Sequence, residues 1–265
     1  MANGLPWSPV SPPEPSFVLT VVGVVQETAD TVSVALEVPE RLRDVFAFRP
    51  GQFLTVAVPS EETGLVARCY SLSSSPLDPR TLVFTVKRSP DGYGSRWIHD
   101  RVRVGDRLRV LKPSGIFTPS SVDDDLVLLA AGSGITPMMS IIRTTLAGGS
   151  GRLALFYANR DAASVIFAEA LSGLVESRPD RLEVVHWLED ERGLPTADDV
   201  RDFAASHLTW HFFCCGPTPF MATVAAALRD LGVPRARRHQ EKFVSLGGNP
   251  FGDADAQPPS GLSAP

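Results

Sequence analysis

The chain has 265 residues, long enough for two domains because a single hydrophobic core rarely grows past about 250 residues. Its 43% hydrophobic and 21% charged residues are typical of globular proteins and exclude disordered and collagen-like chains. The net charge is −5 and the basic residues are scattered singly, which argues against nucleic acid or an anionic membrane as a partner.

The first 16 residues are rich in proline and are predicted to form a disordered arm. They lack the basic and apolar regions of a secretion signal, and no stretch of the sequence approaches the roughly 20 apolar residues of a membrane span. We therefore expect a cytoplasmic protein without a membrane span. Cys69, Cys214 and Cys215 are expected to be reduced thiols, because an odd set with two adjacent members is a poor disulfide framework.

The first half, residues 17–118, consists mostly of short runs in which apolar and polar residues alternate. The six runs are FVLTVVGVVQ, TVSVALEV, QFLTVAV, VARCYSLSS, TLVFTVK and RLRVLK. Such runs, separated by Pro, Gly and Asp turns, indicate an antiparallel sheet. With one short helix predicted over residues 95–100, they predict a six-stranded antiparallel β-barrel.

The fourth run carries Arg68 and Tyr70, which lie on the same face of a strand. A guanidinium can hold a pyrophosphate while a ring packs beside a flavin, so the pair suits a flavin dinucleotide. A partly exposed strand with a surface Arg and a half-buried Tyr explains the same residues. Residues 92–95 then precede the predicted helix: a glycine-rich helix start attracts anions, although a simple turn and helix cap has the same pattern.

The second half, residues 119–246, changes to strands followed by helices. The apolar runs DLVLLAA, RLALFYA, LEVVHWL and HFFCC each lead into a helical pattern, and residues 239–243 add a last strand. Apolar strands that alternate with helices are typical of a parallel sheet covered on both faces. The sequence therefore predicts a doubly wound five-stranded parallel sheet, followed by a linker-like tail over residues 247–265.

Two turns of this half stand where ligands bind. Residues 132–134 form a Gly-Ser-Gly turn that leads into a helix with Pro137 in its first turn, which is a phosphate-binding arrangement. It is not the usual dinucleotide fingerprint, because Pro137 stands where that motif has its third glycine. Cys215, Gly216 and Pro217 end another strand; an inert buried cysteine is the ordinary outcome, but ligands bind at the carboxyl ends of such strands.

In this order, the motifs RPGQF, RCYSLSS, TVKR, GYGS, PSGIF, GSGITP and CGPTP resemble those of the ferredoxin reductase family. Within it, VARCYSLSSSP, LLAAGSGITPMMSI, YANRDAASVIF and CGPTPFM are very similar to oxygenase reductase components of the ketosteroid 9α-hydroxylase reductase type. The resemblance covers residues 18–246. It implies an FAD-dependent reductase that takes hydride from NAD(P)H and passes electrons singly to an iron–sulfur or haem partner of an oxygenase-type system.

The resemblance also assigns roles to residues of this sequence. The residues implied to hold FAD are Arg68, Cys69, Tyr70, Ser71, Val86, Lys87, Gly92, Tyr93, Gly94 and Ser95. Those implied to hold the nicotinamide cofactor are Gly132, Gly134, Thr136, Pro137, Asn159, Arg160, Cys215, Gly216 and Pro217, and Phe243 is implied to lie close to the flavin ring. The implied catalytic residues are Ser71, Cys215 and Glu241.

The choice between NADH and NADPH depends on Arg160, which could pair with a 2′-phosphate or lie along the diphosphate. The adjacent Asp161 would repel a 2′-phosphate, which favours NADH and leaves NADPH as the alternative.

The electron acceptor is expected to be a ferredoxin, a [2Fe–2S] domain or an oxygenase component. Reductases of the resembled type usually continue into a [2Fe–2S] domain, whereas this sequence ends in the linker-like tail. Its three cysteines are too few for the four ligands of a cluster, and its five histidines show no metal-ligand spacing. Two alternatives stay open: a stand-alone reductase of free flavin or quinones, and a non-catalytic subunit that only binds nucleotide.

Overall fold

The computed structural model describes residues 15–60, 64–243 and 250–251, and these form a barrel followed by an α/β domain. Most of the predicted disordered arm, residues 1–14, lies outside the described residues. The barrel elements are β1 (Phe17–Thr28), β2 (Thr31–Glu37), β3 (Phe53–Ser60), β4 (Gly64–Ser71), β5 (Thr81–Lys87), α1 (Tyr93–Arg101) and β6 (Arg107–Val110).

The six barrel strands form one antiparallel sheet in the order β4-β3-β6-β1-β2-β5. An additional antiparallel bridge between Leu72 and Phe84 connects the two edges, which closes the sheet. Alternate residues point inward, so Val34, Val56 and Val110 are completely buried in a shared core. The predicted six-stranded antiparallel barrel is confirmed.

Helix α1 begins at Tyr93, two residues before its predicted start at Ser95. Gly92 occupies the N-cap position. The Ser95 hydroxyl donates to the Gly92 carbonyl at 2.9 Å and accepts the Ser89 N–H at 3.0 Å, so Ser95 lies inside the first turn. A glycine cap has no side-chain signal, which explains why the sequence places this boundary two residues too late.

The second domain alternates strands and helices along the chain. Its elements are β7 (Leu126–Ala131), α2 (Ile135–Gly148), β8 (Leu153–Asn159), α3 (Ala168–Ser177), β9 (Leu182–Leu188), α4 (Glu189–Arg192), α5 (Ala197–Ala204), β10 (His211–Cys215), α6 (Thr218–Asp230) and β11 (Arg238–Glu241). All strand pairs are parallel, in the order β11-β10-β7-β8-β9. The predicted five-stranded parallel sheet is confirmed.

The central strands β7 and β8 are buried along their whole length, because helices cover both faces of the sheet. Side chains of α2 and α3 share one core cluster with one face of these strands, and those of α5 and α6 share another with the opposite face. All carboxyl ends of the strands therefore meet at one edge of the sheet, where ligands bind in such folds.

The tail after β11 returns to the barrel at Phe251, which is 2% exposed. Its ring packs with Ala57, Ala67 and Leu111 on the barrel. The Arg109 guanidinium lies 5.3 Å from the centre of that ring and donates to the Phe251 carbonyl at 3.2 Å. Within the predicted tail, residues 247–265, only positions 250 and 251 are described. Over the described ranges, no helix is long and apolar enough to cross a bilayer.

Candidate functional site

The barrel contributes a wall formed by β4 and the start of α1. A Cβ atom placed on Gly94 would lie 2.7 Å from Cγ of Arg68 and 3.3 Å from the Tyr70 hydroxyl, so glycine allows the helix to approach this face. The Tyr70 ring stacks on Phe84 at 5.5 Å. Its hydroxyl is buried without a hydrogen-bond partner in the described chain, and burial raises the pKa of Tyr70. The predicted residues Arg68, Tyr70 and Gly94 are therefore brought together.

The start of α1 presents backbone N–H groups beside this wall. The N-cap Gly92 has no side chain to accept from them, and the Tyr93 hydroxyl donates away from the helix to the Pro59 carbonyl at 2.7 Å. Free N–H groups at the positive end of a nine-residue helix attract an anionic group such as a pyrophosphate.

The three predicted catalytic residues meet at the carboxyl edge of the parallel sheet. Cys215 and Glu241 are register partners on β10 and β11, so their side chains leave the sheet on the same face. Burial raises the pKa of Glu241 to about 7, opposed by a hydrogen bond with Ser71 of the barrel. Oε2 of Glu241 is buried with no partner among the described residues. Burial and the neighbouring Glu241 raise the pKa of the Cys215 thiol, which is therefore uncharged.

Cys69 extends this cluster along β4. Its thiol lies 3.5 Å from the Thr55 hydroxyl and is half-buried. Burial raises the pKa of Cys69, and the nearby Glu241 adds to the effect. The predicted residue Cys69 therefore lies close to Glu241.

A cleft of about 370 Å³ opens between the two domains. The residues that line it are Lys87, Ala131, Gly132, Ser133, Gly216, Pro217, Thr218, Lys242 and Phe243. Of the predicted residues, Gly132, Gly216, Pro217 and Phe243 line this cleft together with Lys87 from the barrel. The sequence reasoning missed Ala131, Ser133, Thr218 and Lys242, because single residues next to a motif carry no pattern of their own.

Some predicted residues are used for packing. A Cβ on Gly134 would lie 2.0 Å from the Cys215 carbonyl oxygen, so this glycine lets the two turns touch. The Thr136 hydroxyl donates to the Ser133 carbonyl at 3.0 Å, and Pro137 is buried in α2. Val86 points into the barrel core, and its carbonyl lies 2.9 Å from Nε2 of His99. These contacts stabilise the fold. None of these residues lines the cleft.

The predicted adenosine end lies at the carboxyl end of β8. Asn159 is 7% exposed and lies near the Tyr157 hydroxyl, yet neither of its amide atoms makes a hydrogen bond within the described part of the chain. Arg160 forms an ion pair with Asp161 at 3.0 Å. The hydrogen bond and charge of Arg160 hold the pKa of Asp161 below its ordinary value, so the basic charge at this position is already matched by a carboxylate.

These features fit a flavin dinucleotide and a nicotinamide dinucleotide. Buried polar groups are normally hydrogen-bonded, and each buried group that lacks a partner calls for an explanation. Six described residues carry such atoms: Tyr70, Asn159 and Glu241 are predicted cofactor-binding or catalytic residues, whereas Arg43, Thr145 and Arg238 are not. The close approach at Gly94 and the free helix start supply the remaining features of a phosphate cradle.

Comparison with known proteins matches two domain families to this chain. Residues 18–118 match the oxidoreductase FAD-binding domain family, and residues 128–226 match the oxidoreductase NAD-binding domain family. The ferredoxin reductase component of 3-ketosteroid-9-alpha-monooxygenase from Rhodococcus rhodochrous is 56% identical over 238 residues, which are 90% of this chain and 68% of that protein. The component with the same name from Mycolicibacterium smegmatis is 52% identical over 236 residues, 88% of this chain and 67% of the relative.

A solved structure supports the fold as well. Phthalate dioxygenase reductase, described as a modular structure for electron transfer from pyridine nucleotides to [2Fe–2S], superposes with a TM-score of 0.72 at 28% identity. The match covers 85% of this chain and 67% of that one. FAD and a nicotinamide nucleotide are therefore the cofactors of the two domains, as predicted. This chain belongs to the ferredoxin reductase family and is an NAD(P)H-dependent flavoprotein oxidoreductase.

Proposed function

We propose that this protein is the reductase of an oxygenase system, which oxidises NADH and passes electrons singly to an iron–sulfur or haem group of a partner. The observation that carries the proposal is the meeting of Ser71, Cys215 and Glu241 where the two domains face each other. Ser71 comes from the barrel and the other two come from the parallel sheet, so the cluster requires both domains.

Bound FAD supplies the conversion of a two-electron oxidation into single-electron transfers. Arg68 and the start of α1 are proposed to neutralise and bind its diphosphate. The buried Tyr70 hydroxyl, which lacks a partner among the described residues, would gain a hydrogen bond on binding.

Glu241 and Ser71 are proposed to hold and move a proton. With a pKa of about 7, Glu241 is partly protonated near neutral pH, so its carboxyl can take up or release a proton through the Ser71 hydroxyl. Cys215 stays an uncharged, polarisable thiol that is buried beside them. The cluster therefore combines one titrating group with two neutral ones.

NADH is the proposed nicotinamide cofactor. Because Asp161 already pairs with Arg160, a 2′-phosphate brought to this position would meet a carboxylate as well as the guanidinium. NADH, which has only hydroxyl groups there, meets no such repulsion.

The acceptor is proposed to be a ferredoxin, a [2Fe–2S] domain or an oxygenase component. The similar proteins of Rhodococcus rhodochrous and Mycolicibacterium smegmatis are named as reductase components of a ketosteroid monooxygenase. Cys69, Cys214 and Cys215 cannot supply the four ligands of a cluster, so electrons pass to a group held outside these 265 residues. The free cysteines fit a reducing compartment, and we propose the cytoplasm.

The test compares acceptors and donors with FAD-loaded protein. We expect faster reduction of ferricyanide with NADH than with NADPH, and reduction of an added [2Fe–2S] ferredoxin faster than reduction of free flavin or quinone. Faster turnover of free flavin or quinone than of any protein acceptor would favour a stand-alone reductase. Binding of NADH without any turnover would favour a non-catalytic subunit.

A further inference from the structure

Helix α2 carries a row of polar side chains that face the barrel. Ser140, Arg143 and Thr144 are spaced three and four residues apart, which places them on one side of the helix. The contacts are Ser140 Oγ donating to the Ser74 carbonyl at 2.6 Å, Arg143 Nη1 donating to the Ser73 carbonyl at 2.8 Å, and the Thr144 and Ser75 hydroxyls 3.1 Å apart. All three side chains contact residues shortly after Ser71. We call residues 71–75 the Ser71 segment.

The residue that caps the start of the same helix packs against the end of β10. Gly134, immediately before α2, packs so closely on the Cys215 carbonyl that a Cβ would lie 2.0 Å from its oxygen. Helix α2 therefore touches the strand end that carries Cys215 and also the Ser71 segment. An α-helix keeps a fixed rise of about 1.5 Å per residue, so these two contacts have a defined separation.

The barrel holds the Ser71 segment from its other side. The Ser73 hydroxyl lies 2.8 Å from that of Thr85, which lies 2.7 Å from that of Ser33, and Ser33 donates to Glu27 at 2.6 Å. Ser33, Ser73 and Thr85 are all buried. With its side chain bonded to the barrel and its carbonyl bonded to Arg143, Ser73 has one favoured position.

Arg143 is itself held by a strained residue. Its guanidinium lies 5.6 Å from the centre of the Phe167 ring. Phe167 has φ of 63°, and within the described residues it is the one non-glycine position with a left-handed backbone. Such a conformation is unfavourable for a bulky residue and persists only where the surroundings fix it. Phe167 is 4% exposed, and it presents its ring to Arg143.

We propose that Arg143 is a positioning residue that sets the separation between Ser71 and Cys215, and through it the approach of nicotinamide to flavin. This inference rests on the proposed function. Arg143 acts through α2, which links the Ser71 segment to the turn that packs on Cys215. Arginine suits the role because its planar group can lie over a ring and donate in the plane at the same time, which a lysine ammonium cannot do.

The test uses FAD-loaded protein and the variants Arg143→Met, Arg143→Lys and Ser140→Ala. The matched control is Arg152→Met, since Arg152 pairs with Asp125 at the amino ends of the strands, away from the cleft. Anaerobic rapid mixing gives the limiting rate of flavin reduction and the dissociation constant of NADH separately. Hydrogen exchange of the holoenzyme gives the protection of the Leu72 and Ser73 amides, which donate to the carbonyls of Gln52 and Val83.

We expect Arg143→Met to lower the limiting rate per bound FAD by roughly tenfold to a hundredfold, because small displacements of reacting groups have effects of this size. The NADH dissociation constant should stay unchanged, and exchange of the Leu72 and Ser73 amides should accelerate. Arg143→Lys and Ser140→Ala should show the same changes more weakly, and Arg152→Met should show none of them.

A wild-type limiting rate in Arg143→Met, or a loss confined to NADH affinity or to FAD content, overturns the inference. If Arg143→Met does not fold, an unchanged rate and unchanged exchange in Ser140→Ala and Arg143→Lys overturn it instead. Failure of the proposed function is distinguishable, because NADH would then not reduce the flavin of the wild-type protein. Hydrogen exchange still reports on the Arg143 contact in that case.

Discussion

Replacing Glu241 with Gln should remove a pH dependence of stability that the fold builds into this site. The carboxyl is buried, with one oxygen unpaired among the described residues, and burial raises its pKa from 4.5 to about 7. The folded state therefore keeps a proton that the unfolded chain releases above pH 4.5. The stabilisation from this group is complete below pH 4.5 and is lost as the pH rises to about 7, a loss of about 3 kcal/mol.

The assay is thermal denaturation of the FAD-loaded protein at pH 5 and pH 8, conditions chosen to lie roughly on either side of the titration. Glu241→Gln cannot ionise, so its midpoint should fall less than that of the wild type between the two conditions, by several degrees. Glu183→Gln, at an exposed position of β9, is the control and should follow the wild type. A wild-type pH dependence in Glu241→Gln would refute the assigned burial of a protonated carboxyl.

Three further changes test the cofactor wall, the nicotinamide preference and the tail. Gly94→Ala should weaken FAD binding by at least about tenfold, because the new Cβ displaces the Arg68 side chain. Flavin fluorescence measures the affinity for FAD, and the control Gly173→Ala, with no atom near its added Cβ, should bind FAD normally. Asp161→Asn should raise the kcat/KM for NADPH relative to that for NADH by roughly fivefold, because it removes the carboxylate paired with Arg160. An unchanged ratio would contradict the proposed role of Asp161 in the preference for NADH. Phe251→Ala should lower the thermal midpoint by several degrees, at a cost of about 3 kcal/mol, and an unchanged midpoint would show that its burial contributes nothing.

The sequence predicts the barrel and the parallel sheet because each depends on local periodicity. The alternating runs around Val34 and Val56 can bury one face only, whereas the unbroken apolar run of β7 requires cover on both faces. The start of α1 is less predictable, because Gly92 caps it without a side chain. In this chain the hydrophobic pattern determines the architecture more reliably than it determines helix boundaries.

Within the site, the motifs identify which segments of the chain lie together, but not which contacts each residue makes. The Gly-x-Gly turn predicts a role for both glycines in cofactor binding, yet Gly134 is required by the Cys215 carbonyl, a contact between residues 81 positions apart that no local pattern reveals. The same holds for Arg143 and Ser73, and for Phe251, a lone aromatic in a Pro- and Gly-rich tail. Contacts distant in sequence are set by tertiary packing, which propensity and spacing do not encode.

The most direct test of the central claim is an anaerobic titration of the FAD-loaded protein with NADH, followed by the visible absorbance of the flavin. If both cofactors bind between the two domains, near the cluster of Ser71, Cys215 and Glu241, one equivalent of NADH should bleach the flavin. An absorbance that stays unchanged at excess NADH, in protein that retains its FAD, would contradict the account.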